Sequence, residues 1–308
     1  MDAVMALIAA GGAARAGDLL RAGVRLSSLR TAVGAGTVSR AAYGTYCVPG
    51  ADRAVVAAAA LRGQAGRVSA CAFWGAKFVS EPRSVHIVVP ANRNIDPSRL
   101  QKLGLRGVHR EAVVGSEGLV EPIELAADHA ARCTRPIEQL VIVNSAMRSG
   151  ILDPLAPDEF QIGTLQRLEW LRRMVGRGSQ SVPESVALAV LDAAGLRPQS
   201  QVHNDNVGHV DLGVGDFHGI EIDGWETHGT KGAFAEDRRR DRELAARRRW
   251  VLRYNYAEVM ANPYAWGLDV ARVLGLPVAA RYDARMRWLM ALPSRHLNGT
   301  HGWRPAGT

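Results

Sequence analysis

Apolar and polar positions along the chain alternate between helical and strand periods, with glycine marking most of the breaks. At the start, Ala3–Ala10 reads as a helix ended by Gly11-Gly12, Ala16–Ala22 as a second stopped at Gly23, and "SSLRTAV", with Ser27 as its N-cap, as a third stopped at Gly34. "TVSRAAYGTYCVPG" then sets turn residues between β-compatible runs, which predicts a hairpin. Residues 51–178 mix both periods: "AVVAAAALRG", "PIELAADHAARC" and "PIEQLVIVNSAMRSG" predict helices, "SVHIVVP" and "RGVHREAVV" predict strands, and residues 160–178 predict a basic amphipathic helix. The loop-like "GRGSQSVP" marks a boundary. Beyond it come a helix, "VPESVALAVLDAAGL", three strands, "SQVHN", "HVDLGV" and "GIEID", an arginine-rich helix within 233–249 and the strand "WVLRYN".

The pattern predicts an α/β protein of the α+β kind in four segments: 1–50, 51–178, 179–280 and a basic tail, 281–308. Three helices and a hairpin are the element order of a winged helix. A helix, three antiparallel strands, a helix and a strand are the core order of the PD-(D/E)XK, restriction-endonuclease-like fold. No tandem repeat or long low-complexity tract interrupts either segment.

Charge adds a partner to this picture. The 308 residues carry a formal net charge of +8 and a pI of about 9.9, concentrated at the two ends: residues 236–308 hold 14 arginines against 7 acids, and residues 1–60 hold 6 against 3. Such an imbalance suits a polyanion. No apolar run approaches the roughly 18 residues of a membrane span, so the expected partner is DNA and no membrane. Three scattered cysteines, Cys47, Cys71 and Cys133, give neither a disulfide framework nor a C-x-x-C zinc pair. The opening "MDAVMALIAAGGAARA" lacks the basic start of a signal peptide. A cytoplasmic, nucleoid-associated protein is expected.

The candidate chemistry lies on two strands. In "HVDLGV", Asp211 points away from Val210, Leu212 and Val214; in "GIEID", Glu221 and Asp223 point away from Ile220 and Ile222. If these strands are neighbours, three carboxylates share one face, and their repulsion raises at least one pKa unless a cation sits among them. Hard oxygen donors at this density suit Mg²⁺ or Mn²⁺. Glu184, at the start of the preceding helix, is a fourth acid; Asp237 and Asp241 lie one helical turn apart; Arg238, Arg242 and Arg249 recur at helical spacing and could face phosphate. Arg25, Arg30 and Arg40 are the corresponding DNA contacts of the first segment. His86, His109 and His129 have no metal spacing and read as structural or surface groups.

Two resemblances sharpen these expectations. The Gly-Gly break, "LLRAGV", the short arginine-bearing helix and "YGTYCVPG", with the "VHR" strand and "VIVNSAMRSG" helix further on, resemble AbiEi-type antitoxins, a transcriptional regulator family. "SVPES", "QVHNDNVGHVDLGV", "IEIDGWETH" and "FAEDRRRDRELAARRRWVLRY" resemble the Vsr-like endonuclease-related domain that follows such a region in actinobacterial proteins, over about residues 179–275. The resemblance implies Asp211, Glu221 and Glu184 as metal ligands, and His228, at the end of "DGWETH", as acid or base. Asp223 stands where the PD-(D/E)XK pattern has lysine, as a further ligand or an orienting group for His228. The zinc-binding cysteines of Vsr enzymes are missing, so mismatch specificity does not carry over.

The expected function is a metal-dependent DNA endonuclease, nicking DNA or acting on mismatched, damaged or foreign DNA, with winged-helix targeting. The alternative is a DNA-binding regulator or antitoxin whose nuclease-like domain is inactive. A cognate toxin or a repair partner fits one or the other. A homodimer would suit a palindromic site, although no heptad or other signal specifies one.

Overall fold

The computed structural model describes residues 1–111, 118–204, 208–215, 218–223, 238–239, 242–243, 246, 250–293 and 304–305. The chain is a mixed α/β protein built of small sheets and many helices. It forms two compact units, residues 1–76, 80–134 and 293–308 in one, and 77–79 with 135–292 in the other. No helix among the described residues is long and apolar enough to cross a membrane.

The first unit opens with α1 (Ala3–Ala9), β1 (Ala13–Arg15), α2 (Ala16–Arg21), α3 (Leu26–Gly34), β2 (Ser39–Ala42) and β3 (Thr45–Cys47). Asp2 caps α1 by accepting the Val4 and Met5 amides, each at 3.0 Å. β1 was not expected, because a run of two alanines and an arginine carries no alternation. Pairing with β3 makes it a strand, and the three strands order as β1-β3-β2, all antiparallel. Leu7, Leu19, Val24, Leu29 and Val38 fill the core under them. α3 also departs from expectation. Its first carbonyl acceptor is Arg25, which takes the Leu29 amide at 3.1 Å, so Ser27 lies inside the first turn and not at the N-cap. The hairpin turns at Tyr43-Gly44, where Gly44 has φ 67°.

The rest of this unit comprises α4 (Arg53–Leu61), β4 (Gln64–Ala65), α5 (Arg67–Phe73), β5 (Ile87–Pro90), α6 (Pro97–Lys102), β6 (Gly107–Glu111) and α7 (Ile123–His129). β5 lies between β4, antiparallel to it, and β6, parallel to it. The alanine-rich face of α4 packs on this sheet together with Ile87, Val89, Leu100, Leu105 and Val108.

The second unit contains α8 (Pro136–Arg148), α9 (Ala156–Glu159), α10 (Leu165–Met174), α11 (Val182–Ala194), β7 (Gln199–Asn204), β8 (Gly208–Val214), β9 (His218–Asp223), β10 (Trp250–Asn255), α12 (Tyr256–Ala261), α13 (Pro263–Val273) and α14 (Tyr282–Leu289). The basic helix expected over 160–178 is the shorter α10, opened by the Thr164 side chain, which accepts the Arg167 amide. α8 and α10 precede the expected boundary at residue 178, yet both belong to this unit, with Asn144 Nδ2 of α8 donating to Ser185 Oγ of α11 at 3.2 Å. Part of the expected basic tail is likewise built in. Tyr282, Met286 and Leu289 recur at i, i+4 and i+7 among the arginines of α14 and are buried.

The sheet order is β10-β9-β8-β7, with β7, β8 and β9 antiparallel and β10 parallel to β9. Val210, Leu212, Val214, Ile220 and Ile222 are all buried, as strand parity requires, and α11 packs on β8. α11 is almost wholly buried, held from its other side by α13. Their approach depends on Gly267, where an added Cβ would stand 2.6 Å from Val190 Cγ1 and closer still to the Tyr282 hydroxyl. Gly267→Ala should therefore destabilise the unit by about 1–3 kcal/mol, despite alanine's higher helix propensity. Urea denaturation measures it; unchanged or higher stability would contradict this packing.

Candidate functional site

α11 begins at a capped end. Ser181 Oγ accepts the Glu184 amide at 3.2 Å, and the Glu184 carboxylate reaches back to accept the Gln180 amide at 2.7 Å. Glu184 is thereby fixed and only 5% exposed. In the sheet on which α11 packs, the β8–β9 ladder runs from Val214↔His218 to Leu212↔Ile220. One step further, Asp211 Oδ2 accepts the Ile222 amide at 2.8 Å, so a carboxylate stands where backbone pairing would continue.

Gln201 joins these acids. The β7–β8 register passes from Ser200↔Leu212 to Val202↔Val210, and Gln201, the residue between, adopts a left-handed φ of 52°. A residue with a Cβ held there costs on the order of 1–3 kcal/mol, and such strain concentrates at functional sites. In this position Gln201 Nε2 donates to Glu184 Oε2 at 3.4 Å, and the side chain also hydrogen-bonds Asp211.

Burial pushes the Asp211 carboxyl above its ordinary value, and the negative charges of Glu184 and Asp223 push it the same way. The bonds from Ile222 and Gln201 offset only part of this. Of the three strand carboxylates expected to repel one another, Asp223 acts on Asp211, and Glu184 of α11 acts on it too. Glu221 has a different neighbour. Its Oε2 lies 3.0 Å from Nε of Arg253, the residue directly opposite on β10. Arg253 carries a cation onto the acid face, a role not expected of the strand "WVLRYN" from the sequence. A basic residue between Leu252 and Tyr254, on the same parity as Glu221, was the available signal.

The chain matches no family model and no curated protein. The site therefore rests on its own geometry.

Other expected residues fall in several places. Arg25, Arg30 and Arg40 are exposed on the first unit, and the Arg40 guanidinium lies 5.3 Å from the ring centroid of Tyr43, itself 90% exposed at the hairpin tip. Arg238 and Arg242 are helical and exposed. His228, Asp237, Asp241 and Arg249 lie outside the described residues. In the first unit, two histidines read as isolated are not isolated: His86 Nδ1 and His109 Nε2 are 2.8 Å apart and Cys133 Sγ is 3.8 Å from the same His109 nitrogen. Burial and the nearby Arg67 charge lower both imidazoles, His86 to about 4, so both are neutral at pH 7.

The Asp211 environment sets a pH dependence. An acid with a raised folded value binds its proton more tightly folded than unfolded. Its ionisation therefore destabilises the fold, a penalty absent below the ordinary value of 3.8 and complete above the raised one. Asp211→Asn, which keeps the acceptor for Ile222, should raise the melting temperature at pH 7 in EDTA and leave it unchanged well below pH 3.8. Melting curves across pH test this; a lower melting temperature at pH 7 would contradict it.

Proposed function

We propose that this protein is a metal-dependent DNA endonuclease whose first segment is a winged-helix targeting domain. The observation that carries the reading is the convergence of Glu184, Asp211 and Asp223 beside Glu221, where β8 and β9 part. The order of α11, three antiparallel strands and a fourth strand parallel to the third supports a PD-(D/E)XK core. The order of α1 to β3, with its β1-β3-β2 sheet and exposed Arg25, Arg30 and Arg40, supports a winged helix with a basic surface.

The donor set fits Mg²⁺ or Mn²⁺. All of it is carboxylate oxygen, and burial, with like charges adding to it, already raises Asp211. The acids do not close into a compact cage. Among the described residues, the group of His, Cys, Asp and Glu ligand atoms lying within 4.8 Å of one another is His86, His109 and Cys133. A partial shell suits Mg²⁺, which keeps several waters and is completed by substrate phosphate. Asp211, Glu221 and Glu184 would hold it. When bound, such an ion supplies an acidified water and neutralises charge on the phosphate.

The chain's own groups divide the remaining work. Gln201 fixes the spacing of Glu184 and Asp211. Arg253 places positive charge on the face where Asp223 has removed the usual lysine, and it can transfer from Glu221 to a phosphate oxygen. His228 takes the proton of the attacking water or protonates the leaving oxygen. Arg238, Arg242 and Arg249 contact the backbone of the DNA.

A second reading is favoured by Asp223 and by the Arg253–Glu221 ion pair, which occupies one of the ligands: a DNA-binding regulator or antitoxin with an inactive nuclease-like domain. Plasmid cleavage separates the two. With Mg²⁺ or Mn²⁺ the wild type should nick supercoiled DNA, EDTA and Asp211→Ala should abolish nicking, and His228→Ala should slow it by about 10²-fold or more. No cleavage of duplex, single-stranded or branched DNA, with salt-sensitive duplex binding that survives Asp211→Ala, would establish the regulator instead.

A further inference from the structure

The first unit holds a second chemical cluster, of different donors. His86 immediately precedes β5, His109 sits in β6 beside Val88, and Cys133 follows the 3₁₀ turn after α7. Their spacings in the chain form no motif, so only the parallel pairing of β5 with β6 brings the imidazoles together. His86 Nδ1, His109 Nε2 and Cys133 Sγ all lie within 4.8 Å of one another. We propose that these three side chains bind a borderline or soft transition-metal ion, Zn²⁺ being the best fit, through two nitrogens and a thiolate.

The geometry requires little movement. With Zn–N of about 2.0–2.1 Å and Zn–S of about 2.3 Å, tetrahedral ligands stand roughly 3.3–3.7 Å apart. The sulfur–nitrogen distance of 3.8 Å is already close to that, and the nitrogen pair at 2.8 Å needs to open by about half an ångström. One hydrogen bond now joins that pair, and an ion would replace it as the donor ring moves its proton to its other nitrogen. Three protein ligands leave a fourth position open. His86 and Cys133 are half-buried while His109 is 2% exposed, so the open position lies toward the His86 and Cys133 side.

The surroundings are built for the site. His86 Nε2 is 3.1 Å from Ser84 Oγ, and the His86 amide donates to Ser69 Oγ at 2.8 Å, which fixes the ring. Arg67, 2% exposed, directs one guanidinium nitrogen to Cys133 Sγ at 3.2 Å and the other to Glu111 at 2.6 Å. Burial pushes the Cys133 thiol above its ordinary value and the Arg67 contact offsets part of this, so an ion would bind by displacing the thiol proton. Arg67 and Arg132 are balanced by Glu111, which accepts from both, and by Glu121, which accepts the Arg67 amide at 2.7 Å. The local field therefore does not exclude a dication. His109 Nδ1 and Arg67 Nε are buried without a partner. Unsatisfied groups in a charged interior are a cost that a purely structural cluster need not carry.

Donor softness separates this site from the carboxylates of the second unit, since nitrogen and sulfur select Zn²⁺, Co²⁺ or Cu over Mg²⁺. Co²⁺ titration of the reduced full-length chain tests the proposal. One equivalent should produce a thiolate-to-cobalt charge-transfer band that one equivalent of Zn²⁺ removes. The band should vanish in Cys133→Ser, persist in Cys47→Ser and Asp211→Asn, and require at least about tenfold more Co²⁺ in His86→Gln. Circular dichroism confirms that each variant is folded. Absence of the band in folded wild type, or its persistence in Cys133→Ser, would overturn the assignment.

Discussion

The second unit is organised around a cluster of like charges that the fold holds together at a cost. Glu184 is buried at the first turn of α11, Asp211 replaces a backbone partner in the β8–β9 ladder, and Asp223 ends β9 close enough to raise Asp211. Packing maintains this arrangement. α11 is buried between the sheet and α13, so Glu184 cannot retreat, and Gln201 accepts a left-handed backbone to bridge two acids. A surface chosen for solubility alone would place these groups in water, where repulsion is screened.

Much of this was legible in the sequence because strand parity is a strict period of two. The burial of Val210, Leu212, Val214, Ile220 and Ile222 against the half-buried Asp211, Glu221 and Asp223 follows directly from alternation. Three features were not legible. β1 depends on a partner strand whose paired residues lie 30 to 34 positions further along the chain, and its own residues carry no strand signal. α14 hides three core residues among arginines. The meeting of His86, His109 and Cys133 depends on a parallel pairing and a chain return through α7, neither of which leaves a local spacing.

The two clusters differ in the same terms that distinguish metals. One offers carboxylate oxygens and leaves much of a coordination shell to solvent and phosphate; the other offers two neutral imidazoles and a sulfur beside an arginine. Each stands in its own compact unit, and neither proposal depends on the other. The exposed arginines and Tyr43 of the first unit add a surface suited to polyanions, in keeping with the positive charge at the start of the chain.

The central claim is that the acids at the parting of β8 and β9 form a cation site. Mn²⁺ binding, counted by the loss of its free-ion electron paramagnetic resonance signal, tests this without requiring turnover or a known DNA substrate. The full-length chain should take up Mn²⁺, excess Mg²⁺ should displace it, and Glu184→Gln should weaken uptake at least about tenfold. Uptake absent from the folded wild type, or undiminished in Glu184→Gln, would contradict the account.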